Sequence, residues 1–139
     1  MIEELTADEI DAFLGEEVVG RVGCHVDGLT YVVPVYFAYV GSAVHVLTIE
    51  GQKVEMMRAS PDVCFEVDRY EPGTGSWRSV IAFGRYEELD EAGSERARAL
   101  LRERLAPAGR RRPPPEPGSR RAVAFVIRIE RATGRAVRR

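Results

Sequence analysis

The sequence predicts a mainly β fold, a six-stranded antiparallel barrel with short helices at its side. Six runs rich in β-branched and aromatic residues follow one another, most of them separated by tight turn signals. Helical spacing is confined to three short segments, too little to form a core without the strands. At 139 residues with 45% apolar content, the chain has the length of a single domain, 1–139, and enough apolar surface for one core.

The elements follow in order. Thr6-Ala7-Asp8-Glu9 has the Thr-x-x-Glu spacing of a capping box, so a short helix starts after Thr6 and runs to about Leu14. A strand follows at 18–26, and Asp27-Gly28 is a two-residue hairpin turn. The run 29–40, LTYVVPVYFAYV, reads as one long strand. Pro34 in its middle lacks a ladder donor, which marks an edge, a bulge or a place left open for a ligand. Gly41-Ser42 turns the chain into a third strand at 43–49. A short helix is expected at 51–59, with Val54 and Met57 packed on the sheet. The fourth strand is 63–67, EPGTGS at 71–76 is a loop, and the fifth strand is 77–89, bent at Gly84. Ala97, Leu100, Leu101 and Leu105 recur at helical spacing over 91–105. Residues 106–121, APAGRRRPPPEPGSRR, read as a solvated Pro/Arg-rich loop, and 122–129 is the sixth strand. The second strand is apolar on both faces, so a partner subunit is expected to cover the outer one.

Net charge is −2, so no global field steers the chain toward nucleic acid. The charge is uneven: Glu3, Glu4, Asp8, Glu9, Asp11, Glu16 and Glu17 stand near the start with no basic residue among them, and the last stretch is rich in arginine. No apolar run approaches the length that spans a membrane, and no signal core precedes the first helix. A cytoplasmic protein with no membrane contact is expected. Cys24 and Cys64 form no CxxC pair and have no histidine at ligand spacing, so they read as small buried hydrophobes and no metal site is expected. His45 reads as a half-buried strand residue, and Glu66 and Asp68, alternating with Phe65 and Val67, as a solvent face.

The stretch His45–Arg58, HVLTIEGQKVEMMR, carries the chemistry. It holds Lys53, the only lysine among 20 basic residues. A helix start presents free N–H groups and the positive end of the helix dipole. Lys53 adds a compact full charge there, and Thr48 and Gln52 add neutral donors. This combination points to a phosphorylated cofactor rather than to a catalytic triad.

Several stretches, taken in order, resemble a known family. They are Val19-Gly20-Arg21-Val22, then Tyr31-Val32-Val33-Pro34-Val35-Tyr36, then EGQKVEMMR at 50–58 and PDVCFEVD at 61–68. Trp77-Arg78-Ser79-Val80 with Gly84 follow, and last come Ile127-Arg128-Ile129 through Thr133-Gly134-Arg135. In this order they resemble the FMN-binding split-barrel proteins related to pyridoxamine 5′-phosphate oxidase, in particular the small flavin-nucleotide-binding and nitroimidazole-resistance-like branch. The resemblance implies a split-barrel homodimer with FMN at the subunit interface. It implies that Val33, Pro34, Val35 and Tyr36 line the isoalloxazine, and that Thr48, Gly51, Gln52 and Lys53 hold the ribityl phosphate. It also implies that Trp77, Arg78 and Ser79 contribute from the neighbouring strand, across the dimer.

The chain departs from the family pattern at three places. Gln52 stands where relatives often carry Arg or Lys, and Leu47 where they often have His. RATGRAVRR at 131–139 lacks the Trp and His of the oxidase's substrate-binding signature, so oxidation of pyridoxamine phosphate is not expected. The implied activity is that of a flavin oxidoreductase taking hydride from a nicotinamide donor. The alternatives are a flavin-binding module without catalysis, the same scaffold with a deazaflavin or haem, and a scaffold with no cofactor. Haem would have only His25 and His45 as axial ligands.

Overall fold

Two glycine-containing turns set the strand pairing. The computed structural model describes residues 1–106 and 121–139. In it, Asp27 and Gly28 both take positive φ, 50° and 80°, and so do Gly41 and Ser42 at 62° and 59°. Two consecutive residues in that region form the turn whose twist matches the flanking strands, so each pair closes a tight hairpin. The first joins β2 (Val19–Val26) to β3 (Leu29–Tyr36), and the second joins β4 (Ala38–Val40) to β5 (Ala43–Ile49). A two-residue strand, β1 (Glu3–Glu4), comes before them, and β6 (Asp62–Glu71), β7 (Ser76–Glu88) and β8 (Ala122–Val137) complete the set. The sheet runs β3-β2-β6-β7-β8-β5-β4, with β1 on the far half of β8, and every pair is antiparallel.

The mainly β split-barrel fold with flanking helices is therefore present, with eight strands where six were expected. The run 29–40 is two strands. At Phe37 the chain leaves β2 and pairs next with β5, and the Phe37 N–H donates to the Val18 carbonyl at 3.0 Å. Phe37 and Ala38 are both buried, which a single strand with alternating faces does not allow. The other new strand is β1, whose acidic residues gave no β signal. β6 and β8 also run past their expected ends at 67 and 129. Their extensions are polar, and pairing with β7 extends them: Tyr70 faces Trp77, Ser79 faces Arg135, and Trp77 faces Val137.

The bend expected at Gly84 is a register shift between Phe83 and Gly84, where β8 carries one extra residue. A Cβ on Gly84 would collide with the backbone carbonyl of Arg128 on the paired strand. Glycine is required there because two backbones pass too close for a side chain.

The helices fall where expected. α1 (Ala7–Glu16) begins with the predicted capping box: the Glu9 N–H donates to Thr6 Oγ1 at 3.2 Å and the Thr6 N–H to Glu9 Oε1 at 3.0 Å. It buries Ile10, Phe13 and Leu14, and docks over Gly134, where a Cβ would press on Leu5 and Ile10. α2 (Gln52–Ala59) buries Val54, Met56 and Met57. α3 (Glu91–Leu105), capped by Asp90 through the Gly93 N–H at 2.8 Å, buries Ala97 and Leu101. The core inside the curled sheet centres on Phe65. Its ring meets Phe37 edge-on, with centroids 4.8 Å apart, and Val22, Val67, Val80 and Ala82 lie around it with no exposure. Most of the loop expected at 106–121 lies outside the described residues.

Two glycine substitutions should separate crowding from helix propensity. Gly84→Ala forces β7 and β8 apart and should lower the urea unfolding free energy by about 1–3 kcal/mol. Gly15→Ala, in a helix with open space around the site, should raise it by about 0.5–1 kcal/mol. Equal effects of the two would contradict the close approach at Gly84.

Candidate functional site

The crossing at Phe37 leaves the barrel split. β3 ends beside β5 without pairing to it, and α2 starts just beyond the end of β5. A cleft of about 370 Å³ opens there, lined by Val19, Pro34, Val35, Tyr36, Leu47, Thr48 and Lys53. β3 supplies one wall as an edge strand, where proline is tolerated. Leu47 and Thr48 come from β5 and Lys53 from the first turn of α2.

Of the residues expected at a cofactor site, the fold brings Pro34, Val35, Tyr36, Thr48 and Lys53 around one cleft. Val33 is the next residue back along β3. Gly51 and Gln52 form the start of α2 beside the cleft, and Gln52 is exposed. Gly51 caps the helix with extended backbone and no side-chain hydrogen bond, so no cap of this chain occupies the first N–H groups. Trp77, Arg78 and Ser79 do not reach the cleft of their own chain. Pairing puts Trp77 and Ser79 on the outer face of the sheet, the face that Pro34 and Tyr36 share. Arg78 points the other way. Its guanidinium lies 4.6 Å from the centroid of the Phe13 ring and 3.7 Å from Glu16, both on α1.

Sequence reasoning had not placed Val19 and Leu47 at the site. Val19 was legible in principle, because a residue opposite Tyr36 across the β2–β3 pair must share its face. Leu47 stood out only as a departure from the family pattern.

Lys53 is half-buried, and no ion pair engages it among the described residues. Burial pushes its ammonium below the ordinary lysine range. A desolvated cation without an anion is unfavourable, and a phosphate at this position would relieve it. Glu55 stands in the first turn of α2, and Glu50, just before the helix, is already engaged. Arg58, in the last turn of α2, grips it through Nη2 at 2.7 Å and Nη1 at 3.1 Å. The same guanidinium holds Glu88 through Nε at 2.7 Å and Nη2 at 3.0 Å, and Tyr86 donates to Glu88 at 2.7 Å. This clamp ties both ends of α2 to β5 and β7. It also masks a negative charge next to the helix start, where that charge would repel an anion.

The outer face carries an exposed apolar surface. Val32 and Tyr36 are each 62% exposed and Ile81 is 44% exposed, with Val19 and Phe83 nearby on the same face. Arg21 pairs there with Glu66 and Asp68, each at 3.2 Å. Partial burial, with the Asp68 carboxylate beside it, pushes Glu66 up to about 7. Neither His25 nor His45 lines the cleft. No helix among the described residues is long and apolar enough to cross a membrane.

Comparison with known proteins agrees with this architecture. An FAD-binding protein of Mesorhizobium loti is 34% identical, covers 99% of each chain and superposes with a TM-score of 0.82. An FAD-binding protein of Mycobacterium smegmatis, at 21% identity and a TM-score of 0.67 over 99% of this chain and 100% of its own, shares the fold. An uncharacterized protein of Rhizobium meliloti (strain 1021) is 27% identical over 97% of this chain and 95% of its own. The model of the pyridoxamine 5′-phosphate oxidase family matches residues 6–136, and with a split barrel, its open cleft and a close structural relative all in place, the chain belongs to that family.

Proposed function

We propose that the cleft binds a flavin nucleotide, FMN, and that the protein is a flavin-dependent oxidoreductase. The observation that carries the reading is Lys53: a half-buried ammonium with no ion-pair partner among the described residues, beside an uncapped helix start, at the edge of an apolar cleft. The chain's residues fit the group. Lys53, Thr48 and the backbone at Gly51 and Gln52 bind the phosphate, and Val33, Pro34, Val35 and Tyr36 support the ring. The flavin, when bound, supplies two-electron redox chemistry toward a nicotinamide donor. The protein's part is to position it and to exclude water. No carboxylate or imidazole among the described residues lines the cleft, so proton delivery within it falls to Tyr36, Thr48, Lys53 or solvent.

FAD is the second reading. The relative from Mesorhizobium loti is named as binding FAD, and Gln52 leaves Lys53 as the one cation at the helix start. The diphosphate of FAD carries one negative charge on each of two phosphates, so a single lysine faces one charge there, against the nearly two charges on the terminal phosphate of FMN. Titration with both nucleotides decides between them.

A homodimer belongs to the same proposal. A second copy across the outer face would cover Val32, Tyr36 and Ile81, and would bring Trp77 and Ser79 near a neighbouring cleft. The location is the cytoplasm.

Four results test the reading. FMN should quench on titration with saturable binding, and added NADH or NADPH should bleach the bound flavin; absence of binding would remove the whole proposal, and binding without bleaching would leave a flavin-binding module. Lys53→Ala should weaken FMN about tenfold to a hundredfold while leaving riboflavin, which has no phosphate, within about twofold. Wild-type affinity should fall as pH rises into the alkaline range, and sooner than a solvent-exposed lysine would dictate, because burial lowers the pH at which Lys53 loses its charge. Ile81→Glu should convert a dimer to a monomer in sedimentation velocity and weaken flavin binding with it. A monomeric wild type would contradict the shared interface.

A further inference from the structure

A second cleft lies at the other end of β5. It has a volume of about 210 Å³ and opens where the β4–β5 hairpin meets α3 and β8. His45 lines it, two residues along the same strand face from Leu47 of the first cleft. Ala43, Leu89 and Val126 give it an apolar lining, Arg96 and Arg128 a cationic one, and no carboxylate among the described residues lines it.

The polar groups of this cleft are incompletely used. His45 Nδ1 is the one buried side-chain nitrogen or oxygen without a hydrogen-bond partner among the described residues. Buried polar groups are normally paired, so an orphan at a cleft calls for an explanation. Arg128 is bound to Glu87 through Nε at 2.5 Å and Nη2 at 3.3 Å, which leaves Nη1 available. Among the described residues Arg96 has no ion pair and faces no acidic group across the cleft. Burial holds the His45 imidazole below its ordinary range and the two guanidiniums push the same way, against the opposing pull of the Ala38 and Ala43 backbone.

We propose that this cleft is a binding site for a small organic carboxylate. The carboxylate lies between Arg96 and Arg128, whose planar forks match its two oxygens. The apolar body of the ligand rests on Ala43, Leu89 and Val126. His45 supplies a hydrogen-bonding edge to the floor through Nδ1. An inorganic anion would use the arginines and leave the apolar lining empty. A neutral amide would use the lining and leave the arginines unpaired. The volume holds a body the size of a single ring. The assignment is independent of the flavin reading, since no residue is shared between the two clefts.

The chain contains two histidines, so ring signals in a proton–carbon NMR spectrum resolve the question on the whole protein. His25 sits on the β2–β3 hairpin, 2.8 Å from Thr30 Oγ1, and serves as an internal control. Sodium benzoate is titrated at constant ionic strength. The expected result is a saturable shift of the His45 signal, with Kd on the order of 1 mM or tighter, while His25 stays still. Arg96→Gln, an exposed position, should weaken benzoate at least about tenfold with an unchanged melting curve. Benzamide should not saturate, and sodium sulfate should bind at least about tenfold more weakly than benzoate. The proposal is overturned by a His45 signal that never saturates, by equal drift of both histidines, by undiminished binding in Arg96→Gln, or by benzamide or sulfate binding as tightly as benzoate.

Discussion

The structure depends on a crossing at one residue. At Phe37 the chain stops pairing with β2 and begins a hairpin that belongs to β5. Phe37 is fully buried, its N–H is tied to Val18, and its ring meets Phe65 edge-on. These contacts hold β3 and β5 side by side while preventing a ladder between them. A barrel closed at that seam would have no cleft. Because it stays open, the edge of β3, the last residues of β5 and the start of α2 converge on one space. Pro34 is compatible with this position because an unpaired edge makes no demand for its missing N–H.

Electrostatics then gives the open seam its character. Several charged side chains of the protein are neutralised locally: Arg58 by Glu50 and Glu88, Arg21 by Glu66 and Asp68, Arg128 by Glu87. Exposed pairs of this kind contribute little stability singly. Their larger effect here is on what is left over. With Glu50 held by Arg58, Glu55 is left as the one carboxylate in the first turn beside Lys53. With Glu87 held on one side of Arg128, the second cleft keeps a cationic lining. Both clefts have a cationic lining, and they differ in what surrounds the charge: a helix terminus in one, an imidazole and an apolar floor in the other.

Much of this was legible in the chain. The capping box at Thr6, the Asp27-Gly28 turn, the helix at 51–59 and the bend at Gly84 each come from local chemistry, and each is present. Local chemistry marked Thr48 and Lys53 as a phosphate corner and Pro34 as an edge, a bulge or an open site, and the fold gathers all three around one cleft. What local reading missed was decided by distant pairing. The run 29–40 reads as one strand because the break at Phe37 involves no turn residue. It comes from Phe37 and Ala38 both facing inward. The ends of β6 and β8 look like polar loop and tail because their partners on β7 lie elsewhere in the sequence. Arg78 illustrates the same limit. Its neighbours Trp77 and Ser79 face outward with Pro34, while Arg78 alternates to the inner side and stacks on Phe13. That assignment depends on where α1 docks, which no window around residue 78 contains.

The central claim is that the split between β3 and β5 is a flavin-nucleotide site. The most direct test is a crystal structure of the protein grown with FMN. The account predicts the phosphate against Lys53 and the start of α2, with the ring along Val33–Tyr36 and a second copy closing the outer face. A flavin bound elsewhere, or a seam that remains empty while saturating FMN is present, would contradict it.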